Sequence, residues 1–449
     1  MVVRLVQRLF GRGGGRRGGG RSSRRYASAM PPRPASAPPA PYDAPPPDEE
    51  ALADARRDAL RKAFTPTRPL RSARRLAGRR AQLARVLRAL EEEEAHVVIY
   101  ADRGRGKTSL ANLVAESLRG RGVMVARYAC SAENDFDAIM RGLMRDLPRS
   151  LLAAPAQRGE DRLAGCEAAL PAGRLQPRDA LGLTGRLTGW TLVLMVDEFD
   201  RIADEGTRTR LADTIKVLSD RAAPVLFVIL GVSENLEELL GRHPSIQRNI
   251  VGVPLPLLSD QEIDALLDQG ARDAGLRFAE PERTAIAALA RGVPYVAQLL
   301  ALHAGYMALE RGAQEISDDD LEAAIALAVA EADPRVVRLY ETLTEGGRDP
   351  TMTAFLRALA GGTQDSLGRF ELEPGGTGVA GSVRVAGRVA PAGLWRRLVE
   401  AGAVRPCGSG GPQLFTMAEA TFGAYVLMRA ACDDGPTEVT NLTPLRAAQ

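Results

Sequence analysis

The stretch Ala101-Asp102-Arg103-Gly104-Arg105-Gly106-Lys107-Thr108 determines the fold that the sequence predicts for this 449-residue chain. It follows the apolar run His96–Tyr100 and precedes Ser109–Val114, whose apolar spacing predicts a helix. The glycines let the backbone turn so that successive N–H groups face a phosphate, and the helix N-terminus adds its positive dipole end. Strand, loop and helix therefore predict a site for a nucleoside triphosphate such as ATP. In such a site Lys107 reaches the β- and γ-phosphates, and the Thr108 hydroxyl is a ligand of Mg²⁺.

A chance match in a chain rich in glycine and alanine is the alternative interpretation. The strict pattern begins with glycine, and Ala101 stands there instead; alanine lacks only the positive-φ freedom of glycine. The chain has three lysines, Lys62, Lys107 and Lys216, among 59 basic residues. One of the three occupies the position where the pattern requires lysine, so we interpret the stretch as a phosphate-binding loop.

A second acidic motif follows the apolar run at Thr191–Val196. A buried strand there delivers Asp197 and Glu198 at its carboxyl end, which in a parallel sheet lies beside the phosphates. Asp197 would hold Mg²⁺, directly or through water, and Glu198 would orient and deprotonate the attacking water. A solvated acidic turn after a core strand is the alternative.

Short apolar runs alternate with helical patterns along the central part of the chain, which predicts an α/β fold with a parallel sheet covered on both faces. The predicted strands are His96–Tyr100, Val123–Ala129, Thr191–Val196, Val225–Gly231 and Ile250–Val253. Residues 51–95 look helical, ending in a helix at Arg79–Glu94, and further helices are predicted between the strands at Phe136–Leu147 and Thr207–Ser219.

These motifs resemble those of the AAA+ ATPases of the origin-recognition/initiator branch and their bacterial relatives. The resemblance is carried by the loop, by Val196-Asp197-Glu198, by the strand-end segment Leu230–Leu236 and by the box Ala77-Gly78-Arg79, at which such proteins begin to enclose adenine. It covers residues 64–332. It implies a P-loop NTPase sheet of strand order 5-1-4-3-2, followed by a helical lid.

The resemblance also implies which residues contact ATP and Mg²⁺. The sensor at the end of the fourth strand would be Ser233 or Asn235, although the aligned position could hold Glu234. Thr108 and Asp197 are the expected metal ligands. The expected nucleotide contacts are Ala101, Asp102, Arg103, Gly104, Arg105, Gly106, Lys107, Thr108, Ser109, Arg79, Ser233 and Asn235.

Arginines that would sense the γ-phosphate match the family less well. An arginine finger acting in trans would be Arg248, with Arg242 second, and a surface arginine is the alternative for either. In the lid, Gly292-Val293-Pro294-Tyr295 resembles the family's Gly-x-Pro-Arg, but Tyr295 stands where the arginine is expected. Hydrolysis is then expected to be slow, or an arginine comes from elsewhere.

Composition and periodicity divide the chain into five parts. We predict a disordered Arg/Gly- and Pro-rich tail (1–63), the nucleotide-binding domain (64–256), the helical lid (257–333), a winged-helix-like domain (334–431) and a short tail (432–449). The predicted lid helices are Asp260–Gly275, Glu280–Ala290, Tyr295–Glu310 and Asp318–Glu331. In the C-terminal domain we predict helices at Pro334–Thr344, Thr351–Ala360, Pro391–Ala401 and Ala418–Ala431, a Gly-rich loop at 361–390, and a β-hairpin between Val404 and Thr416.

Charge is unevenly distributed. Residues 1–42 contain nine arginines, no lysine and no acid, while the whole chain carries +3, which leaves −6 for 43–449. Bulk charge of the folded part therefore does not indicate nucleic acid. For the tail, a solvated low-complexity segment, non-specific contact with RNA or DNA, and an organelle transit peptide remain open. Localisation is expected to be cytoplasmic unless the transit peptide is real.

The sequence offers no membrane span, because no apolar run approaches ~20 residues. The cysteines Cys130, Cys166, Cys407 and Cys432 are far apart and lack neighbouring histidines, so we expect reduced thiols and no zinc site. In the C-terminal domain Arg396, Arg397 and Arg405 could contact DNA phosphates. The alternative is a domain that packs on the ATPase or on a partner.

The sequence thus predicts an ATP-binding, ATP-hydrolysing AAA+ protein that acts as a nucleotide-dependent switch or assembly factor on a protein partner, with a homo-oligomer if Arg248 acts in trans. Two alternatives stay open. One is a DNA-binding initiator or loader, and the other is a non-hydrolysing ATP-bound scaffold, against which the intact Asp197-Glu198 pair counts. No segment suggests an acceptor-substrate domain of a small-molecule kinase.

Overall fold

The computed structural model describes residues 49–69, 78–148, 151, 166–184, 187, 189–233, 239, 248–374, 382–385, 388–407 and 414–433. The predictions for the tails at 1–48 and 434–449, for Ala77, and for Glu234, Asn235 and Arg242 lie outside these residues.

A five-stranded parallel sheet forms the centre of the nucleotide-binding part. Its strands are β1 (His96–Tyr100), β2 (Val123–Ala129), β3 (Thr191–Asp197), β4 (Val225–Gly231) and β5 (Ile250–Pro254). Their order across the sheet is β2-β3-β4-β1-β5, and every pairing is parallel. The order predicted from the family resemblance, 5-1-4-3-2, is therefore confirmed.

Helices cover both faces of this sheet, as the apolar strands require. The helices are α2 (Arg80–Glu91), α3 (Lys107–Leu118), α4 (Phe136–Arg145), α5 (Pro177–Thr184) and α6 (Glu205–Asp220). Side chains of β1 alternate between two apolar cores: Val97 and Ile99 pack towards α2 and α3, and Val98 packs towards α4 and α6. The carboxyl ends of the strands, with the loops that follow them, are left open for a ligand.

Four helices form the lid, as predicted to within a residue at each end. They are α7 (Asp260–Ala274), α8 (Glu280–Ala290), α9 (Pro294–Glu310) and α10 (Asp318–Ala330), with β6 (Arg277–Phe278) and β7 (Glu315–Ile316) as a short parallel pair. The Ser259 hydroxyl accepts from Glu262 N–H and the Glu262 carboxylate accepts from Ser259 N–H, which fixes the start of α7.

The boundary of the N-terminal tail differs from the prediction. Residues Glu49–Ala63 form a helix, α1, that packs on α7 and α9 of the lid. Leu60 and Phe64 are fully buried there, and glycines make room for them: a Cβ on Gly270 would lie 2.3 Å from a Phe64 ring carbon and one on Gly305 would lie 2.6 Å from Leu60. The helix confirms the helical pattern predicted from residue 51 onwards and differs from a disordered tail that extends to residue 63.

The C-terminal unit contains α11 (Pro334–Thr344), α12 (Pro350–Ala360), α13 (Ala392–Glu400) and α14 (Phe422–Asp433). Its antiparallel sheet has the order β10-β9-β8-β12-β11, with β8 (Arg369–Pro374), β9 (Ser382–Val385), β10 (Arg388–Pro391), β11 (Val404–Cys407) and β12 (Leu414–Met417). The predicted hairpin is confirmed as β11–β12, pairing Val404 with Met417. The loop predicted at 361–390 is wrong, because three strands lie between residues 369 and 391. The winged-helix assignment stays a prediction.

The lid and the C-terminal unit share one apolar core. Buried residues of α1, α7 to α10 and α11 to α14 belong to a single cluster, and α10 packs directly on α14. The boundary predicted at 333/334 therefore separates two segments of the chain but not two cores. Within the described part of the chain, none of the helices combines the length and apolarity needed to cross a membrane.

Candidate functional site

A cavity of about 550 Å³ lies between the carboxyl ends of the strands and the lid, a size that suits a nucleotide-sized ligand. Three structural parts enclose it: the loop after β1, the acidic end of β3 and the first turn of α9. The segment 65–69 forms a further wall.

The phosphate-binding loop has the backbone that the sequence predicts. Gly104 and Gly106 have φ of 77° and 87°, and α3 begins immediately afterwards at Lys107, so the N–H groups of its first turn face the cavity end of the helix. Ala101 is not among the described residues with positive φ. The glycine of the strict pattern is therefore not required at that position.

Lys107 lies within the loop and is held by it. Its Nζ donates to the carbonyl oxygens of Ala101 at 2.8 Å and of Asp102 at 2.9 Å. Burial lowers the pKa of Lys107 to about 8, against the opposing charges of Asp200, Asp102 and Asp197. Two neutral carbonyls compensate poorly for a buried ammonium, so an entering phosphate would be a better partner.

The carboxylates of Asp197, at the end of β3, and of Glu198, directly after it, have different hydrogen-bond partners. Asp197 Oδ2 accepts from the Thr108 hydroxyl at 3.0 Å, and Asp197 Oδ1 accepts from the backbone N–H of Glu198 at 2.9 Å. Glu198 has φ of 54°, and its exposed carboxylate accepts from Arg201 Nη1 at 2.6 Å. The structure thus brings Lys107, Thr108, Asp197 and Glu198 together around one cavity.

Thr108 and Asp197 fit Mg²⁺ by the chemistry of their donors. Both offer hard oxygen atoms, and Mg²⁺ typically uses one or two protein carboxylates together with substrate phosphates rather than an all-protein cage. No group of three or more His, Cys, Asp or Glu side chains that could hold a metal ion occurs among the described residues.

Arg79 is a buried residue of the cavity wall. Its Nη2 donates to the carbonyl oxygen of Arg105 at 3.1 Å, which braces the loop from the lid side. Burial lowers the pKa of Arg79 to about 10, and the charge of Glu262 opposes that shift. Its Nη1 has no hydrogen-bond partner among the described residues. An unpaired buried donor at the cavity fits an acceptor atom of a ligand.

Not every loop side chain that was predicted to contact the nucleotide lines the cavity. Arg103 is exposed and lines the cavity, whereas Asp102 turns away from it and pairs with Arg105 and with Arg405 of β11. Arg105 lines the cavity but is also buried against the C-terminal unit, where it donates to the Leu367 carbonyl at 2.8 Å.

The predicted sensor residue Ser233 does not line the nucleotide-sized cavity. Val232 lines the nucleotide-sized cavity, while Ser233 is buried beside a second, smaller cavity with Tyr100, Arg105 and Cys407. Asp200, which the sequence analysis did not select, accepts from Val232 N–H at 2.8 Å and is the strongest charge acting on Lys107. Its position three residues after Asp197 at a strand end was the available signal.

The lid touches the loop in this structure. An added Cβ on Gly104 would lie 3.3 Å from Tyr295 Cβ, and Pro294, Tyr295 and Gln298 line the cavity. The Gln298 side chain accepts from Thr65 N–H at 2.9 Å, so the N-terminal segment and the lid close the cavity together. The sequence analysis missed this wall, because Thr65–Pro69 carries no motif.

Arg248 lies far from the cavity of its own chain. It is exposed and precedes β5, whose Ile250 pairs with His96 at the start of β1, whereas the loop follows Tyr100 at the other end of β1. Arg248 therefore lies near the edge of the sheet opposite the one that the loop follows.

Two of the three arginines proposed for DNA are bonded within the chain. Arg397 donates to Asp349 at 2.6 Å and to the Leu343 carbonyl at 2.7 Å, and Arg405 donates to Asp102 at 3.1 Å. Arg396 is exposed. None of the four cysteines is in a disulfide, and burial raises the pKa of Cys130 to about 12.

Comparisons with known proteins give one family match and several similar solved structures. A protein-family model described as "AAA ATPase domain" matches residues 75–228. No curated protein matches the chain. Similar solved structures include the Aeropyrum pernix ORC2 protein in its ADPNP-ADP complexes (18% identity, 83% of this chain, 98% of that chain, TM-score 0.47) and the Walker-type ATPase of Pyrococcus abyssi (16%, 80%, 99%, 0.48). A third is the Thermotoga maritima RuvB Holliday junction branch migration motor (16%, 79%, 95%, 0.41).

At such low identities, what those proteins bind or assemble with is not transferred to this chain. The family match covers the phosphate-binding loop and the acidic end of β3, and the sheet order is that of AAA+ P-loop NTPases. Residues 75–228 therefore match an AAA ATPase domain, in a chain that continues into a lid and a C-terminal unit.

Proposed function

We propose that the chain binds ATP with Mg²⁺, hydrolyses it to ADP and phosphate, and uses the cycle as a conformational switch. The observation that carries the proposal is the 3.0 Å hydrogen bond from Thr108 to Asp197, with Lys107 and Glu198 beside it at one cavity. It joins the phosphate-binding loop to the acidic strand end in the arrangement that phosphoryl transfer needs.

Nucleotide binding would use charged groups that have only neutral partners, or no partner, in the free protein. Lys107 would exchange two carbonyl oxygens for the β- and γ-phosphates, and the N–H groups around Gly104 and Gly106 would donate to phosphate oxygens. The unpaired Nη1 of Arg79 would donate to an acceptor of the nucleotide. The segment 65–69 and the first turn of α9 would exclude water from the other side.

Hydrolysis is assigned to Glu198. Thr108 and Asp197 would hold Mg²⁺ together with the nucleotide, and the ion would supply positive charge beside the phosphates. Glu198 would orient a water molecule and take its proton as the water oxygen bonds to the γ-phosphorus and the bond to the ADP oxygen breaks. Arg201 fixes one oxygen of the Glu198 carboxylate before any water binds. Lys107 would stabilise the charge that develops on the leaving phosphate oxygens.

Switching is proposed because parts far apart in sequence meet at the site. Tyr295 of the lid touches the loop, and the lid shares its core with the C-terminal unit. A change in the loop or the lid on hydrolysis would therefore move the C-terminal unit, which we propose contacts a protein partner. The DNA-loader alternative is not favoured, because Arg397 and Arg405 are bonded within the chain.

We further propose that Arg248 acts in trans in a homo-oligomer, since it is exposed and lies near the sheet edge opposite its own loop. Steady-state ATP hydrolysis per protomer, measured against protein concentration with and without duplex DNA, tests both proposals. A rate that rises with concentration and is lost in Arg248→Ala supports the trans finger, with exposed Arg396→Ala as the matched control. A rate per protomer that does not depend on protein concentration rejects the trans finger. Stimulation of hydrolysis by duplex DNA favours the DNA-loader alternative. Tight ATP binding without turnover rejects hydrolysis.

A further inference from the structure

We infer that Arg405 of the C-terminal unit is a positioning residue for the phosphate-binding loop, because it completes an ionic bridge that holds the Asp102 carboxylate against Arg105. The affinity of the loop for nucleotide then depends on the docking of the β11–β12 hairpin. This inference rests on the proposed nucleotide binding and adds to it the part of the chain that controls it. We call the three side chains the Arg105–Asp102–Arg405 bridge.

Asp102 is the centre of the bridge. Its Oδ2 accepts from Arg105 Nη2 at 2.7 Å, and its Oδ1 accepts from Arg405 Nη2 at 3.1 Å. The side chains of Asp102 and Arg105 are 12% and 4% exposed, so the pair lies under the C-terminal unit and not in solvent. The backbone carbonyl of the same Asp102 is an acceptor for Lys107. Whatever fixes Asp102 therefore also fixes the carbonyl that places the lysine.

A second contact from the C-terminal unit reinforces the first. Arg105 donates to the Leu367 carbonyl at 2.8 Å, and Gly368 lies so close that an added Cβ would come within 2.9 Å of Arg105 Nη2. The neighbouring Ser366 carbonyl accepts from Leu257 N–H at 2.6 Å, directly after β5. Two separate segments, 366–368 and β11, thus hold the same side of the loop.

Charge burial makes this docking matter for the loop. A buried guanidinium and carboxylate are stable only when both are paired, and leaving one unpaired is costly. If the hairpin moves away, Asp102 loses Arg405, and if residues 366–368 move with it, Arg105 also loses the Leu367 carbonyl. Fewer contacts then hold the loop in the conformation that would bind phosphates. A loop that is ordered in advance binds more tightly. By linkage, nucleotide bound to that ordered loop strengthens the docking of the hairpin by the same factor.

The first test measures the Kd for ADP·Mg²⁺ by calorimetry. Arg405→Ala should raise Kd about 5- to 20-fold, within the usual range of coupling between sites. Arg396→Ala removes an exposed arginine of the same unit and should leave Kd unchanged. Arg405→Lys keeps a positive charge and should restore part of the affinity. Asp102→Asn should also weaken binding, and its effect should not add to that of Arg405→Ala, as expected for residues in contact.

The second test uses Cys407, a buried thiol of β11, as a reporter of hairpin docking. In a Cys432→Ser background, which removes the exposed thiol, ADP·Mg²⁺ should slow the modification of Cys407 by a thiol reagent. The slowing should be lost or reduced in Arg405→Ala, whereas a merely structural arginine would change the basal rate only.

The two failures are distinguishable. If the wild type binds no nucleotide, the proposed function is wrong. If Arg405→Ala folds, by circular dichroism, and binds ADP with the Kd of the wild type, or if nucleotide protects Cys407 equally in both, the bridge does not position the loop.

Discussion

The Thr108 hydroxyl donates to Asp197 Oδ2 at 3.0 Å across 89 positions of sequence, and this bond joins the start of α3 to the end of β3. Thr108 is fixed by the helix that the glycine loop begins, and Asp197 by a strand whose side chains Leu192–Val196 are buried. Because α3 packs directly on the sheet that contains β3, the two oxygens are placed before a ligand enters. A site ordered in advance needs little rearrangement for phosphoryl transfer.

Nucleotide affinity should fall as the pH rises above about 8. Burial lowers the pKa of Lys107 to about 8 in the free protein, whereas bound phosphate favours the charged lysine. Binding is then accompanied by proton uptake above pH 8, and Kd should rise by up to about tenfold per pH unit there. Titration calorimetry from pH 7 to 9.5 measures this. Lys107→Arg, which stays charged, should show no such rise in any binding that it retains, and Lys107→Ala should abolish binding.

Acid should weaken the fold through His96. Its Nδ1 accepts from Phe227 N–H at 2.9 Å and its Nε2 lies 3.0 Å from the Ser219 hydroxyl, so the ring is held neutral between β4 and α6. Burial lowers the pKa of His96 from 6.5 to about 4.

Between those two values the unfolded chain binds more protons than the folded one. The free energy of unfolding should therefore fall as the pH drops from 6.5 towards 4, by at most about 3 kcal/mol. Urea titrations at several pH values measure it, and His96→Asn should flatten this dependence. An equal acid dependence in that variant would rule out the role given to His96.

Removing the Phe64 ring should destabilise the lid and weaken nucleotide binding together. The ring is buried, packs edge-on against Phe278 at 6.2 Å between centroids, and precedes Thr65 in the cavity wall. Phe64→Ala should cost about 3–5 kcal/mol of unfolding free energy, as large core truncations do. Leu52→Ala, on the exposed side of α1, is the control and should change stability by less than about 0.5 kcal/mol. Equal effects of both changes would show that α1 is not docked.

Local signals explain why the core of the site was predictable from sequence. The loop, the strand runs and the Asp197-Glu198 pair are each written in consecutive residues, and their common edge follows from parallel strands. The fold of the nucleotide-binding part and the identity of Lys107, Thr108 and Asp197 required no long-range information.

Contacts between distant residues explain what was not predictable. Asp102 and Arg405 are 303 positions apart, so the sequence gives no sign that they pair. Without that pair, Arg405 was interpreted as a candidate contact for DNA phosphates. Strand β8 lies in a Gly-rich region and is held by pairing with β12, for example Phe370 with Phe415. Phe64 is buried only because Gly270 leaves room for it. In each case the conformation or the partner of the residue depends on contacts between segments that are far apart in the sequence.

Glu198 is proposed here as the general base of an ATPase. The most direct test compares wild type with Glu198→Gln, using single-turnover release of γ-phosphate and the Kd for ATP under the same conditions. We predict that the Kd stays within about twofold of the wild-type value while the rate falls by about 100-fold or more, the range of general-base catalysis. Glu205→Gln, at the nearby exposed start of α6, should change neither. An undiminished rate in Glu198→Gln would contradict the claim.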